Sequence, residues 1–439
     1  KRTGKDDIIC VGLENGVSGE TTCDHDKILA VGLRGYIEEC QRNIDATVPQ
    51  TMEEQAKVDF WNACIIQCRG LITYARRMAE EAERQAFLCK DEKRRKELLT
   101  IAENCRVVPE NPPRTFWQAV QMIWFIHVYF YIEVCTTAGG FGRFDQYMWP
   151  WYKKDVIDEK NITREQALEL IECLYLKTNE VYEVRDNWYA TAFAGYPMWQ
   201  TLMVGGQTPD GRDATNDLSY LCLEAADELQ VKQPVMALRV WEGTPEKLFR
   251  FGCKMVQEGQ ANPGFFSDDA AIKICLEKGR GSTLEEARDW TIVGCIQPGP
   301  GGGTTDGSPD AGYVNMGKML EFVLYNGVDP KTGKLMGLQT GDPRGFKTVE
   351  EFKDALKAQI LYHYDLVRTG YNIMQSIHMI RYPVIFASMV TRGCVESGRS
   401  VQEGGARYST AGLYVTGAAN LADSIVAIEK CVFEDKDFT

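Results

Sequence analysis

An α/β fold of barrel or doubly wound type is predicted by two features of the sequence. Long segments with apolar residues at helical spacing alternate with very short β-type runs, and neither a linker nor an internal repeat divides the 439 residues. Residues 1–439 therefore read as one domain, long enough to bury a large core.

The elements follow in order. Lys27–Ile44, Met52–Gln85 and 91–106 carry helical periodicity until Pro109, Pro112 and Pro113 stop it. Thr115–Val134 is apolar almost all round, which predicts a buried helix. Thr136–Gly142 is a glycine-rich break. Thr163 and Gln166 stand at capping-box spacing before a helix to Glu183. Leu218–Leu229 and Pro245–Gly259 read as helices around the β-type run Val235–Val240. Ser282–Trp290 reads as a helix and Thr291–Gly294 as a short strand ending at Cys295. The run Pro298–Gly303 is too rich in glycine and proline to be regular. Helix returns at Asn315–Leu324, Val349–Tyr371 and Asp423–Phe433.

The formal charge of −13 argues against a nucleic-acid footprint and against anionic membrane surfaces. The most apolar segment, Met122–Tyr131, is too short to span a bilayer and contains His127, so a cytoplasmic location is expected. The chain begins at Lys1, and its true N-terminus is expected elsewhere. The 15 cysteines are scattered, with no Cys-x-x-Cys and no Cys/His cluster, a pattern of neither a zinc site nor a disulfide scaffold. Cys64 and Cys68 share a helix face and read as small buried apolar residues.

Cys295 lies between a strand end and an irregular loop, where a side chain is presented into a cavity. With four histidines in the chain and none nearby, a Cys–His nucleophile requires a long-range contact. A radical role needs only a thiol able to lose a hydrogen atom. Gln297, two residues on, would share its side of an extended segment. An amide there donates and accepts hydrogen bonds but transfers no proton. Residues 299–303 lack the ending of a phosphate loop. Glu429 on the last helix, Glu396 and Glu403 beside glycines, and Arg143, Asp145 and Arg239 read first as a solvated face, as caps and as structural ion pairs.

Five strings resemble the glycyl radical enzyme family, the pyruvate formate-lyase-like proteins. They are Pro109–Trp117, Gly142–Tyr147, Ala287–Pro298, Glu403–Tyr408 and Ala422–Phe433, in the family's order. The resemblance implies a ten-stranded barrel of two half-barrels wrapped by helices, with Cys295 on the inner loop as the thiyl-forming residue. It implies a glycyl radical installed by a radical-SAM activase, and a homodimer. The radical-bearing Arg-Val-x-Gly-Tyr loop does not occur in this sequence, and Arg368-Thr369-Gly370-Tyr371 lacks its spacing. These residues are thus expected to form the central part of the domain, without its glycyl radical region.

Two departures bear on the reaction. Family dehydratases read Cys-x-Glu where this chain has Cys295-Ile296-Gln297, and Glu429 stands where lysine is common. The second feature resembles the arylacetate decarboxylases, which implies conversion of indole-3-acetate to skatole and CO2. Cys295 would then oxidise the carboxylate, Gln297 would orient it, Glu429 would hold its proton, and Thr136 and Thr137 would contact it. Phenylacetate or 4-hydroxyphenylacetate decarboxylation, fumarate addition, dehydration and a non-catalytic paralogue are the alternatives.

Overall fold

Apolar residues spaced three and four apart make the first third of the chain a stack of long helices. The computed structural model describes residues 9–10, 20–134, 138–182, 198–277, 282–300, 303 and 305–438. They fall into two compact units: Asn15–Gly307 with Pro383–Ser409, and Lys1–Glu14 with Ser308–Tyr382 and Thr410–Thr439.

The larger unit begins with β2 (Glu20–Thr22), preceded in the chain by β1 (Ile9–Cys10), and continues into α1 (His25–Asp45), α2 (Met52–Leu88), α3 (Glu92–Val107) and α4 (Phe116–Glu133). Thr51 and Glu54 close a capping box on α2, and Asp91 and Thr115 cap α3 and α4. The buried stripe of α2 runs Phe60, Cys64, Cys68, Leu71, Ala75, Ala79, Ala82, a helical spacing of small and aromatic residues. Cys64 and Cys68 are thus core residues, and burial pushes the Cys68 thiol up, which leaves it inert. α4 is buried on most of its surface, as its all-round apolar sequence predicts. Among the described residues no helix is long and apolar enough to cross a membrane.

β2 pairs in parallel with β3 (Gly139–Gly140), Thr21 facing Gly139. β4 (Thr201–Gly205), β5 (Val235–Val240) and β6 (Gly264–Ser267) form a parallel sheet in that order, joined by helices Asp217–Leu229 and Glu246–Gln257. Asn216 caps the first of these helices, and Thr163 with Gln166 forms the expected capping box on Arg164–Asn179. β7 (Thr291–Ile292) and β8 (Pro298–Gly299) make an antiparallel hairpin. The first residues of β9 (Thr305–Asn315) pair with β2.

Arg239 of β5 locks the approach to that hairpin. Its guanidinium pairs with Asp268 at 2.7 Å, both side chains fully buried. It also donates to the carbonyls of Trp290 and Arg288, at 3.1 and 2.7 Å. The Trp290 indole and the Gln207 amide both donate to Asp268. Removing the carboxylate strands a buried cation, so Asp268→Ala should cost about 3–5 kcal/mol in a urea unfolding curve. An unchanged midpoint would show that the network does not hold this segment.

In the smaller unit, β1 pairs antiparallel with Tyr313–Val314 of β9, which also pairs with β10 (Ser409–Thr416). Helices Met316–Leu324, Val349–Arg381 and Ala418–Ile428 pack Met319, Phe322, Phe352, Leu356, Val367 and Leu421 into a separate core. The long helix runs ten residues past its expected end at Tyr371. It takes up Arg368–Tyr371 as helix, consistent with those residues not being a glycine loop.

The ten-stranded barrel is corrected. The described residues are predominantly helical, and their sheets are small and open. The physical reason is ladder length. β4 and β5 share five paired positions, whereas β1, β3, β7 and β8 have two residues each and cannot propagate a closed ring.

Candidate active site

The hairpin β7–β8 is closed by a hydrogen bond from the Val293 amide to the Gln297 carbonyl, 2.8 Å long. Five residues, 293–297, make the turn, and Cys295 stands at its tip, half-buried. Neighbouring strands pin this loop. Thr22 Oγ1 donates to the Ile292 carbonyl at 3.1 Å, and Thr201 Oγ1 donates to the Gly294 carbonyl at 2.9 Å. Gly294 adopts φ +93°, a conformation that favours glycine. A Cβ on it would lie 1.5 Å from Glu20 Oε2.

Glu20 is the residue that sequence reasoning missed. It sits on β2, 3% exposed, with Oε1 3.7 Å from Cys295 Sγ. The two positions are 275 residues apart, and nothing local marks Glu20 within its polar stretch. The thiol thus has a carboxylate beside it.

Gln297 is close in sequence but turns to a different task. Its Oε1 accepts from the Ile296 amide at 3.0 Å, bracing the turn, and the segment bends instead of extending. Glu429 belongs to the smaller unit, at the junction of helix Ala418–Ile428 with the π-helix Glu429–Glu434. It pairs with Lys353 at 3.6 Å, both side chains about one-third exposed. Such a pair contributes at most about 1 kcal/mol. Thr136 and Thr137 lie outside the described residues, as do Gly301 and Gly302 of the glycine-rich loop.

The remaining polar candidates are structural. Arg143 pairs with Asp289 at 2.7 Å and donates to the Gln207 carbonyl. Asp145 accepts from the Gly205 amide and Ser219 Oγ, so it serves as a buried anchor of β4. Glu396 holds Lys27 and the Gly393 amide, and Glu403 caps Ser400.

A polar cavity of about 270 Å³ in the same unit is lined by Thr22, His25, Asp26, Arg143, Tyr147 and Asp289, among others. Burial, with a contribution from His127, pulls the His25 imidazole down to about 3. Burial pulls His127 down to about 4, although its Nε2 bonds Gln200 Oε1 at 2.7 Å. Both rings stay neutral in the folded chain while the unfolded chain takes up protons near pH 6.5. Their folded values are depressed, so stability is full above that pH and falls as pH drops through it. Asp26, raised to about 6 by burial, opposes this with one proton below pH 6. These three groups together contribute a loss of roughly 1.4 kcal/mol per pH unit between pH 6 and 4, and burial of Asp145 and Glu133, which raises both carboxyls, acts against it. The change in urea midpoint from pH 8 to pH 5 should be less destabilising in His127→Gln than in the parent, and an identical change in the two would contradict this.

The pyruvate formate lyase-like family model matches residues 1–439, and the chain belongs to that family. It is 32% identical over 434 residues to trans-4-hydroxy-L-proline dehydratase of Clostridioides difficile, covering 97% of this chain and 54% of that protein. It is 35% identical over 428 residues to isethionate sulfite-lyase of Nitratidesulfovibrio vulgaris, covering 95% and 50%. A solved structure concerned with 1,2-propanediol dehydration in Roseburia inulinivorans superposes with a TM-score of 0.94 at 38% identity, over 98% of this chain and 54% of that one. The chain spans about half the length of the relatives it matches.

These matches correct the arylacetate decarboxylase assignment, with its indoleacetate and skatole chemistry. The relatives and solved structures that the chain resembles are mostly dehydratases and sulfite-lyases. An indoleacetate decarboxylase is also similar, without standing above them. The physical reason is that the earlier assignment rested on Gln297 and Glu429. The first braces a turn, and the second is a partly exposed residue paired with lysine.

Proposed function

We propose that this chain carries the thiyl-forming part of a glycyl radical lyase. It would expel water or sulfite from the carbon next to a carbinol in a small polar substrate. The observation that carries the reading is Cys295 at the tip of a pinned hairpin, in a fold superposing at 0.94 on a structure concerned with 1,2-propanediol dehydration. The family implies a glycyl radical set up by a radical-SAM activase, and its chemistry is to oxidise a cysteine by one hydrogen atom. The fit to this chain is geometric: Cys295 is half-buried, in a turn closed by the Val293–Gln297 hydrogen bond and pinned before it by Thr22 and Thr201.

The Cys295 thiyl takes the carbinol hydrogen and becomes a thiol. The leaving group departs from the adjacent carbon as the carbinol loses its hydroxyl proton. Cys295 then returns a hydrogen atom, giving a carbonyl product. Gln297 keeps the turn in shape and moves no proton.

The test uses the full-length gene product, activated without oxygen by its activase. Offered 1,2-propanediol, glycerol and isethionate separately, it should convert one of them to its carbonyl product, read by mass spectrometry. No elimination from any of the three, with the radical signal intact, would overturn the reading.

A further inference from the structure

We infer that Glu20 is the proton acceptor of this site, in place of the residue two positions after the cysteine. This deepens the lyase reading and rests on it. Elimination requires a base at the carbinol hydroxyl. Gln297 cannot serve, because an amide does not take a proton at ordinary pH and its oxygen is engaged by the Ile296 amide.

Glu20 has the position such a base needs. A carbon that gives its hydrogen to sulfur must approach Sγ to roughly 3–3.5 Å. Its hydroxyl oxygen, one bond further, then falls within hydrogen-bond reach of a carboxylate whose Oε1 is 3.7 Å from that sulfur. The carboxylate is held there by its strand, since Thr21 and Thr22 pair with β3 and Glu20 itself faces Asp306. The loop is shaped around it as well. Gly294 leaves open the volume that Glu20 Oε2 occupies, and any side chain there would collide with it.

The step balances. The thiyl radical removes the carbinol hydrogen atom, leaving a carbon radical. Glu20 accepts the hydroxyl proton while the electron pair of the adjacent carbon–oxygen or carbon–sulfur bond leaves with hydroxide or sulfite. Glu20 passes its proton to that leaving group, and Cys295 returns its hydrogen atom to the carbon-centred radical. No external oxidant or reductant is consumed.

The experiment uses activated full-length enzyme carrying Glu20→Gln, with isethionate and 1,2-propanediol as probes in D2O. Elimination should fall roughly 10²–10⁴-fold. Deuterium should still enter the carbinol position of recovered substrate, because hydrogen abstraction by Cys295 survives. In the double variant Glu20→Gln/Gln297→Glu, a carboxylate near the thiol should restore part of the elimination. Wild-type elimination by Glu20→Gln would overturn the inference. Loss of exchange together with elimination, without recovery in the double variant, would do the same and assign Glu20 a structural role.

A second readout needs no substrate. An ionised carboxylate 3.7 Å away would oppose thiolate formation, so iodoacetamide labelling of Cys295 at alkaline pH should be several-fold faster in Glu20→Gln than in the parent. Equal labelling would show that Glu20 is not beside the thiol, and would overturn the inference whichever substrate the enzyme takes. If faster labelling is seen but neither probe reacts in the parent enzyme, the contact stands and the inference falls with the lyase reading.

Discussion

Cys295→Ser, in the activated full-length enzyme, is expected to lose elimination entirely, at least about 10⁴-fold, while the glycyl radical signal still forms. Serine preserves the size and hydrogen-bonding capacity of the side chain, so the hairpin and its bonds from Thr22 and Thr201 should persist. What is lost is an S–H bond weak enough to pass a hydrogen atom to and from carbon. An O–H bond is far stronger, and the cycle stops before substrate is touched. Unchanged far-UV circular dichroism would separate this outcome from misfolding. Turnover above one-hundredth of the parent rate would mean that another residue carries the radical.

Gly294→Ala is the second large effect. Its Cβ would enter the space 1.5 Å from Glu20 Oε2 and 2.0 Å from Glu20 Cδ, so loop or carboxylate must move. The φ of +93° adds a backbone cost of about 1–3 kcal/mol. A shift on the order of 1 Å at the thiol suffices for roughly a 10²-fold loss of rate. The clash and the backbone strain can be separated. In a Glu20→Ala background the same substitution should cost less, with a coupling of about 0.5–3 kcal/mol in urea unfolding. Strict additivity would place Glu20 away from Gly294 and would undermine the proposed base as well.

The helices were the legible part of this molecule. Thr51, Asp91, Thr115 and Thr163 cap helices that begin where the apolar periodicity begins, because caps and periodicity are local signals. The strand that leads to Cys295 was legible, but its hairpin was not: Pro298–Gly299, read as irregular, is the second arm and pairs with β7. The sheets were not legible. β9 contains proline, glycine and polar residues and β10 contains glycine, both with little alternation, and pairing with distant strands makes them extended. Glu20 was invisible for the same reason: its relation to Cys295 is tertiary, across 275 positions. Gln297 and Glu429 misled in the opposite sense. Each is a single-residue marker, and similarity along the whole chain outweighs two such markers when the reaction class is inferred.

The lyase reading is tested most directly by the carbon balance of the reaction. Activated full-length enzyme would receive isethionate, 1,2-propanediol and indole-3-acetate together, and products and headspace CO2 would be quantified by mass spectrometry. The account predicts a carbonyl product that keeps every carbon of its substrate, with matching sulfite where isethionate is consumed, and no CO2. Skatole and CO2 in equal amounts, with no carbonyl product, would contradict it.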